Sequence, residues 1–325
     1  MNMMDNVNIR LAGARGLVCT FILVACSVTE ATETPGTHSI APTRSAAELT
    51  EKKDVPCTTL KVLTLNIAHG RKDAVNQIFL SKAAIRRNLE EVAVLLKRVG
   101  ADIVALQEAD GPSGWSGKFD HVALLAELAD YPWYSRSTHA RSPLFDYGTA
   151  LLSRCEFVQM LTHRFSPSPP TPGKGFVLGQ IAWGSAQAGR SPAVVDIVSV
   201  HLDFSRKHVR RRQVSELIQI LINRNNPVVL LGDLNSDWSG ESSVVRELIE
   251  ACRLRAHRPT ANELGTYRRN ERRLDWILIS EELEFGSYAV LPDVVSDHRA
   301  VVAEVFLQAD ENSETIAVDR AACAR

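Results

Sequence analysis

From Leu60 onward the chain alternates short apolar runs with segments of helical spacing. Leu60–Asn66, Asp102–Gln107, Thr149–Ser153, Phe176–Trp183, Ala193–Val200, Val228–Leu231, Leu274–Ile279 and Ala300–Phe306 read as strands. Several are continuous apolar runs of the kind buried on both faces. Between them, apolar residues recur at helical intervals at Ile85, Leu89, Val92, Leu96 and Val99, at Val122, Leu125 and Leu128, and at Val214, Leu217, Ile218 and Leu221. That spacing predicts amphipathic helices. The Pro-rich stretch Ser166–Pro172 and the run Gly111–Gly117 read as loops. Together these are the signals of a layered α/β domain.

The first residues follow a different pattern. Arg10 and Arg15 precede the apolar run Leu17–Ala25, the order of a secretory leader, and the run is too short to remain as a membrane-spanning helix. It ends in Leu23-Val24-Ala25-Cys26, which resembles the lipobox of bacterial lipoproteins, whose cysteine is acylated and becomes the new N-terminus. The alternatives are an ordinary leader cut nearby or a core strand behind a mistaken start. Ser27–Pro56 is rich in Thr, Ser, Glu, Ala and Pro, with few large apolar residues to offset ordering entropy. As a random coil it would reach roughly 30 Å. The expected organisation is a leader over 1–25, a lipidated Cys26 and tether over 26–57, a catalytic domain over 58–308 and a mobile tail over 309–325. It implies an envelope lipoprotein facing the periplasm, with the outer membrane favoured, or otherwise a secreted protein; a monomer is expected.

With 325 residues and 45% apolar content, the chain can bury a sizeable core. Its 37 basic and 38 acidic residues nearly cancel, so no overall charge draws it toward nucleic acid. Beyond Cys19 and Cys26, the cysteines are Cys57, Cys155, Cys252 and Cys323, whose spacing fits no zinc site and whose pairing sequence cannot tell.

The candidate chemistry sits at the ends of the apolar runs, where open α/β folds commonly place their sites. Asn66 closes the first strand and Glu108 the second; His201 and Asp203 follow the fifth, Asp233 and Asn235 the sixth, Asp275 lies in the seventh, and Asp297 with His298 precedes the last. Phosphodiester hydrolysis needs a hard cation held by oxygen ligands, a base for water, and donors for the charge on the phosphoryl group. This set contains each part.

Six segments, LNI at Leu65–Ile67, LQE at Leu106–Glu108, HLD at His201–Asp203, GDLN at Gly232–Asn235, RLDWIL at Arg273–Leu278 and SDH at Ser296–His298, together resemble the endonuclease/exonuclease/phosphatase superfamily. They occur in the family's order. The resemblance implies a four-layer α/β sandwich of two β-sheets flanked by helices, acting on a phosphodiester with Mg²⁺ or Mn²⁺. It assigns metal binding to Glu108, supported by Asn66, and base catalysis to Asp233, with Asn235 orienting water or a phosphate oxygen. His298 would contact the scissile phosphate, with Asp275 and Asp297 fixing its tautomer and sharing in metal or water positioning. His201 would donate to a phosphate oxygen or the leaving group. Asp203 is open between a supporting role and a plain loop acid, and one versus two metals is open as well.

Substrate choice resides in loops that the motifs do not cover. Arg206, Lys207, Arg210, Arg211 and Arg212 form one basic run, and Arg268, Arg269, Arg272 and Arg273 another; they either hold an anionic substrate or are merely solvated. The neutral charge, the expected anchor and a likeness around His201 to the sphingomyelinase branch favour a lipid headgroup or small phosphodiester. A nuclease is the runner-up, nucleic acid being a possible but unfavoured partner, and a phosphatase acting on phosphorylated inositol or lipid comes third. A non-catalytic binding module or structural envelope protein would not need Glu108, Asp233, Asn235 and His298 together.

Overall fold

The computed structural model describes residues 59–308 except 143, 185–192 and 240–242. The expected leader, Cys26, the tether and the tail lie outside the described residues. In chain order the elements are β1 (Thr59–Asn66), α1 (Lys82–Val99), β2 (Ile103–Asp110), α2 (His121–Leu128), β3 (Trp133–Arg141), β4 (Asp146–Ser153), β5 (Phe157–Arg164) and β6 (Gly175–Trp183). There follow β7 (Ala193–His201), α3 (Lys207–Leu221), β8 (Val228–Asp233), α4 (Val244–Cys252), β9 (Leu254–Ala256), β10 (Asp275–Ser280), β11 (Leu283–Val290) and β12 (Val301–Leu307).

The strands form two six-stranded sheets, in the orders β11-β12-β1-β2-β4-β3 and β5-β6-β7-β8-β10-β9. In each, one central pair is parallel, β1 with β2 and β7 with β8, and the other pairings are antiparallel. Side chains alternate between the two faces of a strand, which divides the apolar residues of the central strands between separate cores. Leu60 and Val62 of β1, Ile103 and Ala105 of β2, Ile197 of β7, Val229 and Leu231 of β8, and Ile277 and Ile279 of β10 all meet in one cluster between the sheets. Leu63 and Leu65 of β1 turn the other way, onto Ile85, Leu89, Val92 and Leu96 of α1 and Val122 and Leu125 of α2. On the far side, Val198, Val200, Leu230, Trp276 and Leu278 pack against Val214 and Leu217 of α3 and Val245 and Leu248 of α4. Burial on both faces is why these strands read as continuous apolar runs. The result is the expected four-layer α/β sandwich.

Local signals agree with this arrangement. Ser81 caps α1 by accepting from the Ala84 N–H at 3.2 Å, and the helix ends at Gly100 in the left-handed conformation. Asp120 caps α2 in the same way, accepting from the Ala123 N–H at 2.9 Å.

Candidate active site

The alternation that builds the inter-sheet core also builds the site. Continuing along the inner face of each central strand, the apolar positions give way to polar ones at the same end: Thr64 and Asn66 on β1, Gln107 on β2, Ser199 and His201 on β7, Asp233 on β8 and Asp275 on β10. Sheet register aligns them, with His201 beside Asp233 and Asp233 beside Asp275. Below the site a polar seam joins the two sheets: Thr64 Oγ1 donates to Gln107 Oε1 at 3.3 Å, and Gln107 Nε2 to Ser199 Oγ at 3.2 Å. Gly232 is required just before Asp233, because at its φ of 149° a Cβ would lie 2.0 Å from the Val200 carbonyl oxygen.

Asp233, Asp275 and His298 are all buried, and each places a ligand-capable atom within 4.8 Å of the others. His298 Nδ1 donates to Asp275 Oδ2 at 2.8 Å, and Thr266 Oγ1 donates to the same oxygen at 2.6 Å. The other oxygen of Asp275, Oδ1, is buried without a hydrogen-bond partner. Asp233 accepts from Asn66 Nδ2 at 3.1 Å, from the Asn235 N–H at 2.9 Å and from Asn235 Nδ2 at 3.3 Å. Asn66, Asp233, Asn235, Asp275 and His298, from four separate places in the sequence, thus form one network.

The electrostatics follow from burying these charges together. Burial, and then the negative charge of Asp275, push the Asp233 carboxyl up to about 7. Burial disfavours a charged His298, but the carboxylates of Asp275 and Asp233 outweigh it and hold its imidazole at about 10. At neutral pH His298 is therefore a charged donor and Asp233 is poised to exchange a proton.

Glu108 is not a member of that cluster. It sits at a β-bulge where the register of β2 with β4 shifts between Gln107 and Ala109, and its backbone is left-handed, φ 50°. Its Oε2 lies 3.4 Å from His69 Nε2. Burial disfavours its charge, yet His69, Lys174, His201 and Arg71 hold the carboxyl well below the usual carboxylate range. Asp297 is drawn elsewhere, its Oδ2 accepting from Arg71 at 2.6 Å. Asp203 organises the turn into α3, accepting from the Ser205 and Arg206 N–H groups at 2.9 and 2.7 Å and from Thr171 Oγ1 at 2.6 Å.

The motifs missed a lysine. Lys174 opens into β6 from the Pro-rich loop and is 4% exposed. Its Nζ is 3.1 Å from each ring nitrogen of His201, donating to the unprotonated one, and 5.9 Å from the centre of the Tyr147 ring. Burial, followed by the charge of Lys174, keeps His201 neutral. No motif signalled Lys174, because a single lysine after a Pro-Gly turn reads as a solvated loop residue. Several members of the two basic runs, by contrast, make contacts within the protein, while Lys207 and Arg269 are exposed. Arg206 binds the carbonyls of Ser168 and Pro169, and Arg212 binds that of Pro167, clamping the Pro-rich loop. Arg268 pairs with Asp73, Arg272 with Asp237, and Arg273 packs 4.0 Å from the centre of the Trp276 ring.

The profile of the Endonuclease/Exonuclease/phosphatase family matches residues 63–298, most of the chain. The chain belongs to this family. Its members hydrolyse phosphoester bonds and use divalent metal ions. Among solved structures, an endonuclease/exonuclease/phosphatase from Beutenbergia cavernae is similar at 20% identity and a TM-score of 0.59, over 77% of this chain and 72% of that one. A mannosyl-6-phosphatase from Bacteroides thetaiotaomicron is similar at 16% identity and a TM-score of 0.54, over 76% of this chain and 100% of that one. The human Nocturnin catalytic domain is similar at 17% identity and a TM-score of 0.54, over 77% of this chain and 95% of that one. At these identities the likeness is one of fold. No curated protein matches significantly.

The residues present suit a divalent cation. The buried cluster offers two carboxylates beside an imidazole, carboxylate oxygen being the chemistry that hard cations prefer, and the unpartnered Asp275 Oδ1 is a buried acceptor of the kind a cation or its bound water satisfies.

Proposed function

We propose that the protein is a Mg²⁺- or Mn²⁺-dependent phosphodiesterase acting on a lipid headgroup or other small phosphodiester. The observation that carries the chemistry is the buried Asp233, Asp275 and His298 cluster with its unpartnered carboxylate oxygen. A cation held by Glu108 and the amide oxygen of Asn66 would supply Lewis-acid stabilisation of the phosphoryl charge. The Asn66 amide oxygen accepts from the Ala68 N–H at 3.0 Å, which leaves its second lone pair available.

Asp233 takes the proton of the attacking water, its carboxyl being matched to neutral pH at about 7, while Asn66 and Asn235 hold its orientation. His298 donates from Nε2 toward the charge that develops on the phosphoryl oxygens, with Asp275 fixing the ring through Nδ1. His201, neutral and gripped by Lys174, presents its remaining N–H to a phosphate oxygen or the leaving group.

Lys174 adds an amino group in a dry place, where burial lowers its pKa while the carboxylates of Glu108, Asp233 and Asp203 favour its charge. A buried cation is costly unless negative charge compensates it, and an anionic substrate would add to the compensation those carboxylates give. In Lys174→Met, which keeps the apolar stem, kcat/KM on bis-p-nitrophenyl phosphate is expected to fall by about 100-fold, with inhibition by inorganic phosphate weakened as well. Steady-state kinetics check both, and unchanged phosphate inhibition would remove Lys174 from the substrate site.

The lipid-like substrate is favoured by the surface beside the site. Val75, Ile78, Phe79 and Leu144 are exposed, and Ile78 and Trp115 line one groove of about 260 Å³ with Lys82 and Lys118. Leu144 adjoins this groove, its carbonyl accepting from the Trp115 N–H at 2.9 Å. From Trp115, ring contacts run through Phe145 and Tyr147 to His69 beside Glu108. An apolar shelf with lysines at its edge suits an amphiphile with an anionic head. Of the arginine runs, Arg206, Arg268 and Arg273 are taken up by contacts within the protein, which leaves less of them for a nucleic-acid backbone.

The test is hydrolysis of bis-p-nitrophenyl phosphate, sphingomyelin vesicles and plasmid DNA with Mg²⁺, Mn²⁺ or EDTA. The expected result is metal-dependent turnover of the first two, abolished by EDTA. Activity that survives EDTA would overturn the metal-dependent reading, and rapid cleavage of DNA alone would overturn the lipid reading.

A further inference from the structure

His69 lies outside every motif, yet it sits on the most strained backbone of the site. Ala68, His69 and Gly70 have φ of 48°, 55° and 69°, three successive left-handed residues directly after Asn66 and Ile67. For a residue with a Cβ this conformation costs about 1 kcal/mol or more. The turn is held nonetheless: the Gly70 N–H donates to the Ile67 carbonyl at 2.9 Å, and Asn88 Nδ2 to the Gly70 carbonyl at 2.8 Å. Across from it Glu108 is left-handed too, at the bulge in β2. Two strained segments therefore face each other, and the His69 ring lies between them.

The ring is held on every side. Nδ1 donates to Oδ1 of Asp110, which is 1% exposed, at 2.7 Å. Nε2 lies 3.4 Å from Glu108 Oε2, and the ring meets Tyr147 edge-on with centroids 4.9 Å apart. The bulge brings Glu108 and Asp110 to the same ring, so a histidine that only neutralised Asp110 would need neither the left-handed turn nor the irregular strand. What the two distortions achieve together is a fixed direction for the Glu108 carboxylate.

We infer that Asp110 and His69 form a positioning pair that holds Glu108 in its metal-binding orientation. The inference rests on Glu108 being a metal ligand. His69 acts on that carboxylate through an ion-pair contact, itself fixed by the hydrogen bond to Asp110, and outer partners of metal ligands are typically worth about 10- to 100-fold in metal affinity.

The experiment is a calorimetric Mn²⁺ titration of the full chain as wild type, His69→Asn, His69→Gln, Glu108→Gln and the His69→Asn/Glu108→Gln double variant. Asparagine tolerates left-handed backbone, so His69→Asn keeps the turn while losing the reach to Glu108; glutamine retains a donor. The expected result is a Mn²⁺ Kd raised about 10- to 100-fold in His69→Asn, partly restored in His69→Gln, with no further loss when His69→Asn is added to Glu108→Gln. If Glu108→Gln leaves the Kd unchanged, the ligand reading itself fails. If Glu108→Gln weakens binding but His69→Asn does not, or if the two losses add, the positioning pair alone is overturned.

Discussion

Replacing Asp233 by asparagine is expected to lower kcat on bis-p-nitrophenyl phosphate by at least about 10³-fold, because it removes the base that takes the proton of water. Asparagine is nearly isosteric and keeps the acceptor for the Asn235 N–H, so the loss would be chemical rather than structural. The same variant has a signature in stability. The Asp233 carboxyl is raised in the folded state to about 7 by burial and by Asp275. A raised carboxyl contributes stability below its ordinary pKa and loses it as pH rises through the folded value. The metal-free wild type should therefore lose stability between about pH 4 and 7 through this group, and the variant should not. Thermal melting with EDTA at pH 5 and pH 8 checks this: the Tm of Asp233→Asn relative to wild type rises with pH. A relative Tm independent of pH, or near-normal turnover in the folded variant, would sink the assignment.

His298→Gln should lower turnover by about 10²- to 10⁴-fold, since it removes the charged donor aimed at the phosphoryl group. Its effect on stability is also large. Asp275 is buried, and with its histidine gone it keeps only the Thr266 hydroxyl as donor on Oδ2. Breaking a buried ion pair by removing one partner costs about 3–5 kcal/mol. Adding Asp275→Asn should recover much of that stability, because the orphaned charge goes with it, but none of the activity. Urea unfolding of the two single variants and the double variant measures the coupling. Strictly additive losses would mean that the pair is not an energetic unit.

How far the chain could be read without coordinates depends on where each strand lies. The central strands were legible because burial on both faces makes them apolar throughout. The strands that escaped notice are β3, β5, β9 and β11, and these are the four sheet edges. These strands are only partly buried and mix polar with apolar residues, as at Gln159 and Thr162 in β5 and Glu284 and Ser287 in β11, so no apolar run marks them. Helix α4 was missed as well.

The candidate site divides along a similar line. Asn66, His201, Asp233 and Asp275 were legible because each continues the two-residue period of an apolar strand by one or two polar steps, and Asn235 and His298 lie beside such steps in recognisable segments. Local sequence therefore determined the chemistry of the site and the strand ends that carry it. It could not determine that Glu108 stands on a bulge facing His69, that Asp297 is taken up by Arg71, or that Lys174 comes to rest against His201. Those pairings join residues far apart in the chain, through a bulge, a left-handed turn and the Pro-rich loop, none of which has a periodic signature. They exist only because closing the two sheets over one dry core leaves these charges nowhere to go but toward each other.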